Sequence, residues 1–236
     1  MLSPQDDGHA TERESTGKSK SWLKSPAMLW VLAVGNFAGM WPELVMMDWS
    51  AVFARDSLGL DIAAGAIPYT VFTAAMIVGR MSISRVTRRF HISDMSRWGG
   101  IVGSATMLAG LLLGPAIAKT DAALGLLVLS VFWGISGLGI ASMVPSFMSA
   151  AGYVKGMTTA QALSRMSLVN ALLIMAAKVF MGGLAESFSV ATAYLFPVAS
   201  LLVAGLLAGK VATAAKRSDA VANAFPQTGA IQVSGS

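Results

Sequence analysis

Residues 122–154 read AALGLLVLSVFWGISGLGIASMVPSFMSAAGYV, thirty-three positions without an Asp, Glu, Lys or Arg. As one helix this run would be roughly 50 Å long at ~1.5 Å per residue, more than the ~30 Å hydrocarbon core of a bilayer requires. Pro145 is therefore where it is expected to bend or leave the membrane. The pattern recurs along the chain. Residues 25–42, 62–79, 98–118 and 187–209 are equally free of charge, and 166–185 hold one ionisable residue, Lys178. Each stretch is about as long as the ~17–25 residues that cross a bilayer as a helix.

Composition agrees. The chain has 236 residues, 55% hydrophobic and only 12% charged, where a soluble domain carries roughly 25% charged residues. Too little charge exists to cover a water-exposed surface, which excludes a soluble enzyme and an extended nucleic-acid binder. The fold class expected is an all-α membrane protein with six transmembrane helices, near 27–47, 63–83, 98–118, 122–144, 162–185 and 190–209. With no Cys there is no disulfide framework and no thiolate metal site. The 24 Gly and 15 Met suit closely packed membrane helices. The bundle, residues 27–209, is flanked by two polar segments. Residues 1–26 read as a cytoplasmic tail or linker, without the early apolar core of a secretory signal. Residues 210–236 read as a second cytoplasmic tail.

Orientation follows from the basic residues. The net charge of +5 and pI near 9.7 fit loops on one side of a membrane better than nucleic-acid binding, because no basic surface interleaved with aromatics is present. Arg13, Lys18, Lys20 and Lys24 fall on one side with Arg80, Arg85, Arg88, Arg89 and Arg97. Lys155, Arg165, Lys210, Lys216 and Arg217 join them. The other side carries Arg55 and Lys119 among Asp48, Asp56, Asp61, Asp121 and Glu186. The positive-inside rule then places both termini in the cytoplasm of a multi-pass cell-membrane protein.

Ionisable residues inside spans are costly and point to function. Glu43 lies late in the first span, just after Pro42, and Lys178 in the outer half of the fifth. Asn36 and Glu43 lie within about 20° of each other on a helix, and Ser167, Asn170 and Lys178 within about 80°. Asn36, Glu43, Asn170 and Lys178 are thus candidates for a solute or ion pathway along a water-filled cavity. The alternative is that Glu43 and Lys178 pair to hold the bundle, or that Lys178 snorkels outward. Glycines four apart (Gly35/Gly39, Gly99/Gly103, Gly110/Gly114 and Gly205/Gly209) make flat grooves for neighbouring helices. Two other motifs are set aside. Gly134, Gly137 and Gly139 have a GxxGxG spacing, but no strand precedes them. Gly134-Ile135-Ser136-Gly137 resembles the GxSG of rhomboid intramembrane proteases, which need a base beside the serine. The histidines are His9 in the tail and His91 in a basic loop. The sequence offers no catalytic set, metal site or cofactor motif, so the expectation is a non-enzyme.

The run ELVMMDWSAVFARD, residues 43–56, resembles the seventh helix of fucose-permease-like members of the major facilitator superfamily. There an E-x4-D-W-S-x-(V/F/Y)-x-x-R-D pattern recurs, matched here by Glu43, Asp48, Trp49, Ser50, Arg55 and Asp56. Phe72, Met76, Gly79 and Arg80 continue the likeness, followed by Arg85, Arg89 and Phe90 in the place of the cytoplasmic loop motif G-R-x-x-x-D-R-x-x-x-R-F-G. The chain departs from that motif at Ser84 and His91. In the family the acidic residue holds a loop arginine and a neighbouring helix end, so with Ser84 in its place that latch is expected to be weaker. Val144-Pro145 and Ala150-Ala151-Gly152 resemble the end of the tenth helix.

The resemblance spans about residues 27–209 and covers the second six-helix half only. It implies half of a major facilitator fold, moving a small polar solute, such as a sugar, by alternating access with proton coupling. The partners implied are the lipid bilayer, a small-molecule solute, and a second six-helix half or another copy; nucleic acid is not among them. The competing reading is a non-transporting membrane subunit, or a truncated remnant needing a separate N-terminal half.

Overall fold

The structure, a computed structural model, describes residues 26–224, with side-chain surroundings given through residue 210. The expected tail 1–26, apart from its last residue, and residues 225–236 of the second tail lie outside the described residues. In chain order come α1 (Ala27–Leu58), a 3-10 turn (Ile62–Gly65), α2 (Ala66–Val86), α3 (Ile92–Ala118), α4 (Ala122–Ile140), α5 (Met143–Ala151), α6 (Thr159–Ser187), α7 (Val190–Ala193) and α8 (Leu195–Ala224). Among the described residues there is no strand, and six helical units are long and apolar enough to cross a membrane. The chain is a multi-pass all-α membrane protein.

Local chemistry sets the element ends. Gly59 closes α1 in the left-handed conformation (φ 69°), donating its N–H to the Arg55 carbonyl. Asp121 caps α4 by accepting from the Leu124 N–H at 3.0 Å. Thr158 and Gln161 form a reciprocal capping box on α6. The long apolar run breaks at Ala141–Ser142, one turn before Pro145, and continues through the proline as α5. Proline lacks the N–H that would bond the carbonyl four residues earlier, here that of Ala141, and its ring crowds the same carbonyl. The bend therefore precedes the proline.

Several helices outrun the charge-free windows. The first extends eleven residues past position 47, and α2 runs on through Arg80 and Arg85 to Val86. α3 begins at Ile92 and α6 at Thr159. α8 continues past position 209 to Ala224, so part of the second expected tail is helical. At ~1.5 Å per residue α1 is roughly 48 Å long, enough to pass through the bilayer core and project beyond it.

α1 is the most enclosed helix. In its apolar window 61% of residues are buried, against 22% for the spans containing α2 and α6, which flank it. α3 is held between α4 and α8, and α2 lies on α4. Hydrophobic burial does not drive helices together inside lipid; close packing and dispersion do. Glycine supplies the closeness here. A Cβ on Gly99 would strike the carbonyl oxygen of Gly139, and one on Gly139 that of Gly99, so α3 and α4 touch backbone to backbone. Gly100 and Gly205 meet in the same way between α3 and α8. All four glycine pairs read from the sequence lie at such approaches: Gly35 and Gly39 against Phe147 and Met143, Gly103 against Leu201, Gly110 and Gly114 against Trp133 and Leu129, and Gly209 against Arg97. An aromatic cluster locks the end of the bundle near the α1–α2 connection. Phe53, Trp133 and Tyr194 have centroids 4.9–5.3 Å apart and are fully buried. The Trp133 indole N–H donates to the Met107 carbonyl at 3.3 Å. Met81, Val179 and Phe180 point outward, as bilayer contact requires.

Candidate functional site

Pro42 and Glu43 stand near the middle of α1. Pro42 has no N–H for the Ala38 carbonyl, which loosens the helix just before its carboxylate. Arg80 lies six residues before the end of α2, about 9 Å inside it at ~1.5 Å per residue. Because α2 runs antiparallel to α1, the two meet: Arg80 Nη2 donates to Glu43 Oε2 at 3.1 Å. Five residues along α1, on another face of the helix, Asp48 turns toward α6, whose Lys178 Nζ donates to Asp48 Oδ2 at 2.6 Å. The central helix thus holds one ion pair with each flanking helix.

Both pairs lie within the helical spans and neither is enclosed. Side-chain exposure is 31% for Glu43 and 43% for Arg80, 31% for Asp48 and 47% for Lys178. An unpaired charge on a membrane-spanning helix costs ~2.5 kcal/mol or more where it meets hydrocarbon at the bilayer centre. Pairing removes most of that cost; a water-lined cavity or another protein surface removes the rest. The arrangement carries two carboxylates and two cations, able to donate and accept hydrogen bonds with a polar solute at a balanced net charge.

The pairing differs from the one weighed in the sequence. Glu43 and Lys178 do not meet; each takes a counter-charge that the sequence pattern had placed elsewhere. Arg80, counted with the basic side of the membrane, lies within α2, and Asp48, counted with the acidic side, lies within α1. The missed signal at Asp48 was length, since α1 continues through it; Arg80 falls inside the expected span 63–83 but follows the charge-free window 62–79.

Asn36 and Asn170 are not on this face. Asn36 is 1% exposed and Asn170 is also buried, and the side-chain carbonyl oxygen of each has no hydrogen-bond partner among the described residues. Angular arithmetic assumes a face open along its whole length. Neighbouring Gly35 and Gly39 instead sit against Phe147 and Met143, so α5 covers this half of α1.

Other residues of the two motifs are structural in their contacts. Trp49 packs against the core and Ser50 is buried. A Cβ on Gly65 would strike the Ser50–Ala51 backbone, so the 3-10 turn is seated directly on α1. Arg55 Nε donates to the adjacent Asp56 at 2.8 Å in an exposed pair. Gly79 faces the Ala141 side chain, and Arg85 and Arg89 lie at and beyond the end of α2. Ser136 is fully buried, its hydroxyl without a partner among the described residues, and Gly137 packs against the Phe72 backbone, so the GISG run serves α2–α4 packing.

Comparison with known proteins gives two distant similarities. The chain is 26% identical over 168 residues to an uncharacterised MFS-type transporter of Yersinia pestis, covering 70% of this chain and 41% of that protein. It is 25% identical over 171 residues to the membrane protein MosC of Rhizobium meliloti, covering 72% and 40%. The chain therefore spans about two-fifths of the length of these curated relatives. No family model matches the chain, and no solved structure matches it.

Proposed function

We propose that this chain is one six-helix bundle of a major facilitator transporter, working against a second bundle or another copy to move a small polar solute by alternating access. The observation that carries the reading is the pair of partly exposed ion pairs, Glu43–Arg80 and Asp48–Lys178, on the central helix and its two least enclosed neighbours. The distant similarity to an MFS-type transporter supports a transport role. The chain's match to about two-fifths of that relative fits one bundle of a two-bundle transporter.

In this reading α1, α2 and α6 face the cavity, and the opposing bundle closes it. Glu43 accepts the coupling proton or a hydrogen bond from the solute; Arg80, released in turn, binds a solute oxygen. Lys178 and Asp48 hold the far side of the site. The fucose-permease-like resemblance favours a sugar or related polyol, since a balanced set of donors and acceptors suits a neutral hydroxylated solute. Both termini are on the cytoplasmic side, with the α2–α3 loop.

The test is uptake in proteoliposomes holding the chain with any co-purifying membrane partner, driven by an imposed proton gradient and screened across neutral polyols. Glu43→Gln should abolish gradient-driven accumulation while leaving the bundle folded. A chain that stays monomeric, with neither uptake nor solute binding altered by Glu43→Gln, would sink the transport reading and leave a non-transporting subunit.

A further inference from the structure

The end of the bundle at the α2–α3 connection has a second feature, separate from the two ion pairs. Arg85, Arg88 and Arg89 fall within five residues. Among the described residues none of the three has an ion-pair partner. Between Arg80 and Arg97 the chain carries one carboxylate, Asp94, in the first turn of α3. Residues 87–92, including Arg88, Arg89 and His91, line an open cavity of about 450 Å³. A second cavity, of about 230 Å³, has Val86, the residue before Thr87, in its lining. It is a mainly apolar groove running into the bundle between Gly79, Ile83 and Val86 of α2, Met95 and Gly99 of α3, and Leu138 of α4. From Val86 to Gly79 it reaches roughly 10 Å along the helix, at ~1.5 Å per residue. Phe90 (61%) and Trp98 (59%) stand exposed beside the arginines, and Trp98 lies 5.6 Å under the Arg97 guanidinium. Exposed aromatics among arginines at the end of membrane helices mark the headgroup level.

We propose that this is a binding site for an anionic phospholipid. The phosphodiester lies across Arg88 and Arg89, with His91 as a further donor, and one acyl chain enters the groove walled by α2, α3 and α4. Charge complementarity selects the occupant. Three unpaired guanidiniums at a membrane surface attract anionic headgroups, and guanidinium binds phosphate through two parallel donors. The groove lined by Val86 at the same end of α2 selects a lipid over a free anion, since a soluble phosphate leaves its apolar wall uncovered. Ser84, where the family motif has an Asp, leaves Arg85 without a neighbouring carboxylate, and that charge also faces the headgroup layer.

Native mass spectrometry of the purified full chain tests the site, with phosphatidylglycerol and phosphatidylcholine of matched chains. Retention of phosphatidylglycerol should exceed that of phosphatidylcholine. Arg88→Gln with Arg89→Gln should lower it by ~20–30-fold, about five-fold for each arginine, while Arg88→Lys with Arg89→Lys, which keeps the charge without the paired donors, should fall between the parent and the glutamine variant. Helix content by circular dichroism checks folding, and the single variants, about five-fold each, serve if the double variant unfolds. Ser82→Phe places a ring in the groove, where the serine hydroxyl bonds only its own helix at Val78. It should weaken retention of both lipids while keeping the preference between them. Glycerol phosphate and inorganic phosphate distinguish the source: neither should displace the lipid. Equal retention of the two lipids, full retention in the double glutamine variant, unchanged retention in Ser82→Phe, or displacement by inorganic phosphate would each overturn the proposal.

Discussion

Removing one charge of the Glu43–Arg80 pair should cost more than removing both. At an N–O distance of 3.1 Å the charge centres lie about 4 Å apart, and at an effective dielectric of ~20 such a pair attracts by about 4 kcal/mol. Exposure of 31% and 43% admits water or headgroups and lowers this to about 1–3 kcal/mol. A lone charge left there adds a cost of its own, which reaches ~2.5 kcal/mol or more at the bilayer centre and is smaller where water or headgroups reach the group. Arg80→Gln and Glu43→Gln alone should each destabilise the bundle by about 2–3 kcal/mol, and the double variant by no more than either, a coupling of about 2–3 kcal/mol. The assay is reversible unfolding of the purified chain in mixed micelles titrated with SDS, read by helix content and by fluorescence of the six tryptophans. Additivity within ~0.5 kcal/mol would refute the pairing as an energetic unit.

Other outcomes follow from the packing. Gly99→Ala presses a methyl onto the Gly139 carbonyl and should cost about 1–3 kcal/mol, whereas Gly183→Ala, with open space around it, should match the parent chain in the same titration. Trp133→Ala removes the centre of the Phe53–Trp133–Tyr194 cluster and should cost about 3–5 kcal/mol by the same measurement. Ser136→Ala deletes a buried hydroxyl with no partner, so stability should be unchanged or raised by up to ~1 kcal/mol, and transport should persist. Exchanging the charges, Asp48→Lys with Lys178→Asp, should restore the membrane expression that Lys178→Met lowers. Failure of the exchange would show that position, as well as pairing, matters.

Most of the bundle was legible in the chain because a bilayer imposes one dominant rule: every span must be a helix long enough to cross and poor in charge. Five windows free of Asp, Glu, Lys and Arg, and a sixth interrupted by Lys178 alone, located all six units, and the glycine pairs marked where helices touch. The same rule misplaced the ends. Charge-free counting stopped α1 before Asp48 and closed the second window at residue 79, although the helices continue through Asp48 and Arg80. A charge terminates a hydropathy window; it does not terminate a helix, whose backbone hydrogen bonds are indifferent to it.

The sequence by itself determined an all-α membrane bundle, and it singled out Glu43 and Lys178 as charges that need a reason to be there. Tertiary structure alone decided who answers them. A helical angle says in which direction a side chain leaves its axis, but not which helix stands there or whether that side is covered. So Asn36, nearly in line with Glu43, is sealed in a half of α1 covered by α5, while Glu43 reaches Arg80. Lys178 is answered by Asp48 across an interface 130 residues apart in the chain. Those pairings depend on the antiparallel crossing of α1 with α2 and the packing of α6 beside it, and close glycine contacts on α3, α4 and α8 hold the bundle in the arrangement that permits them.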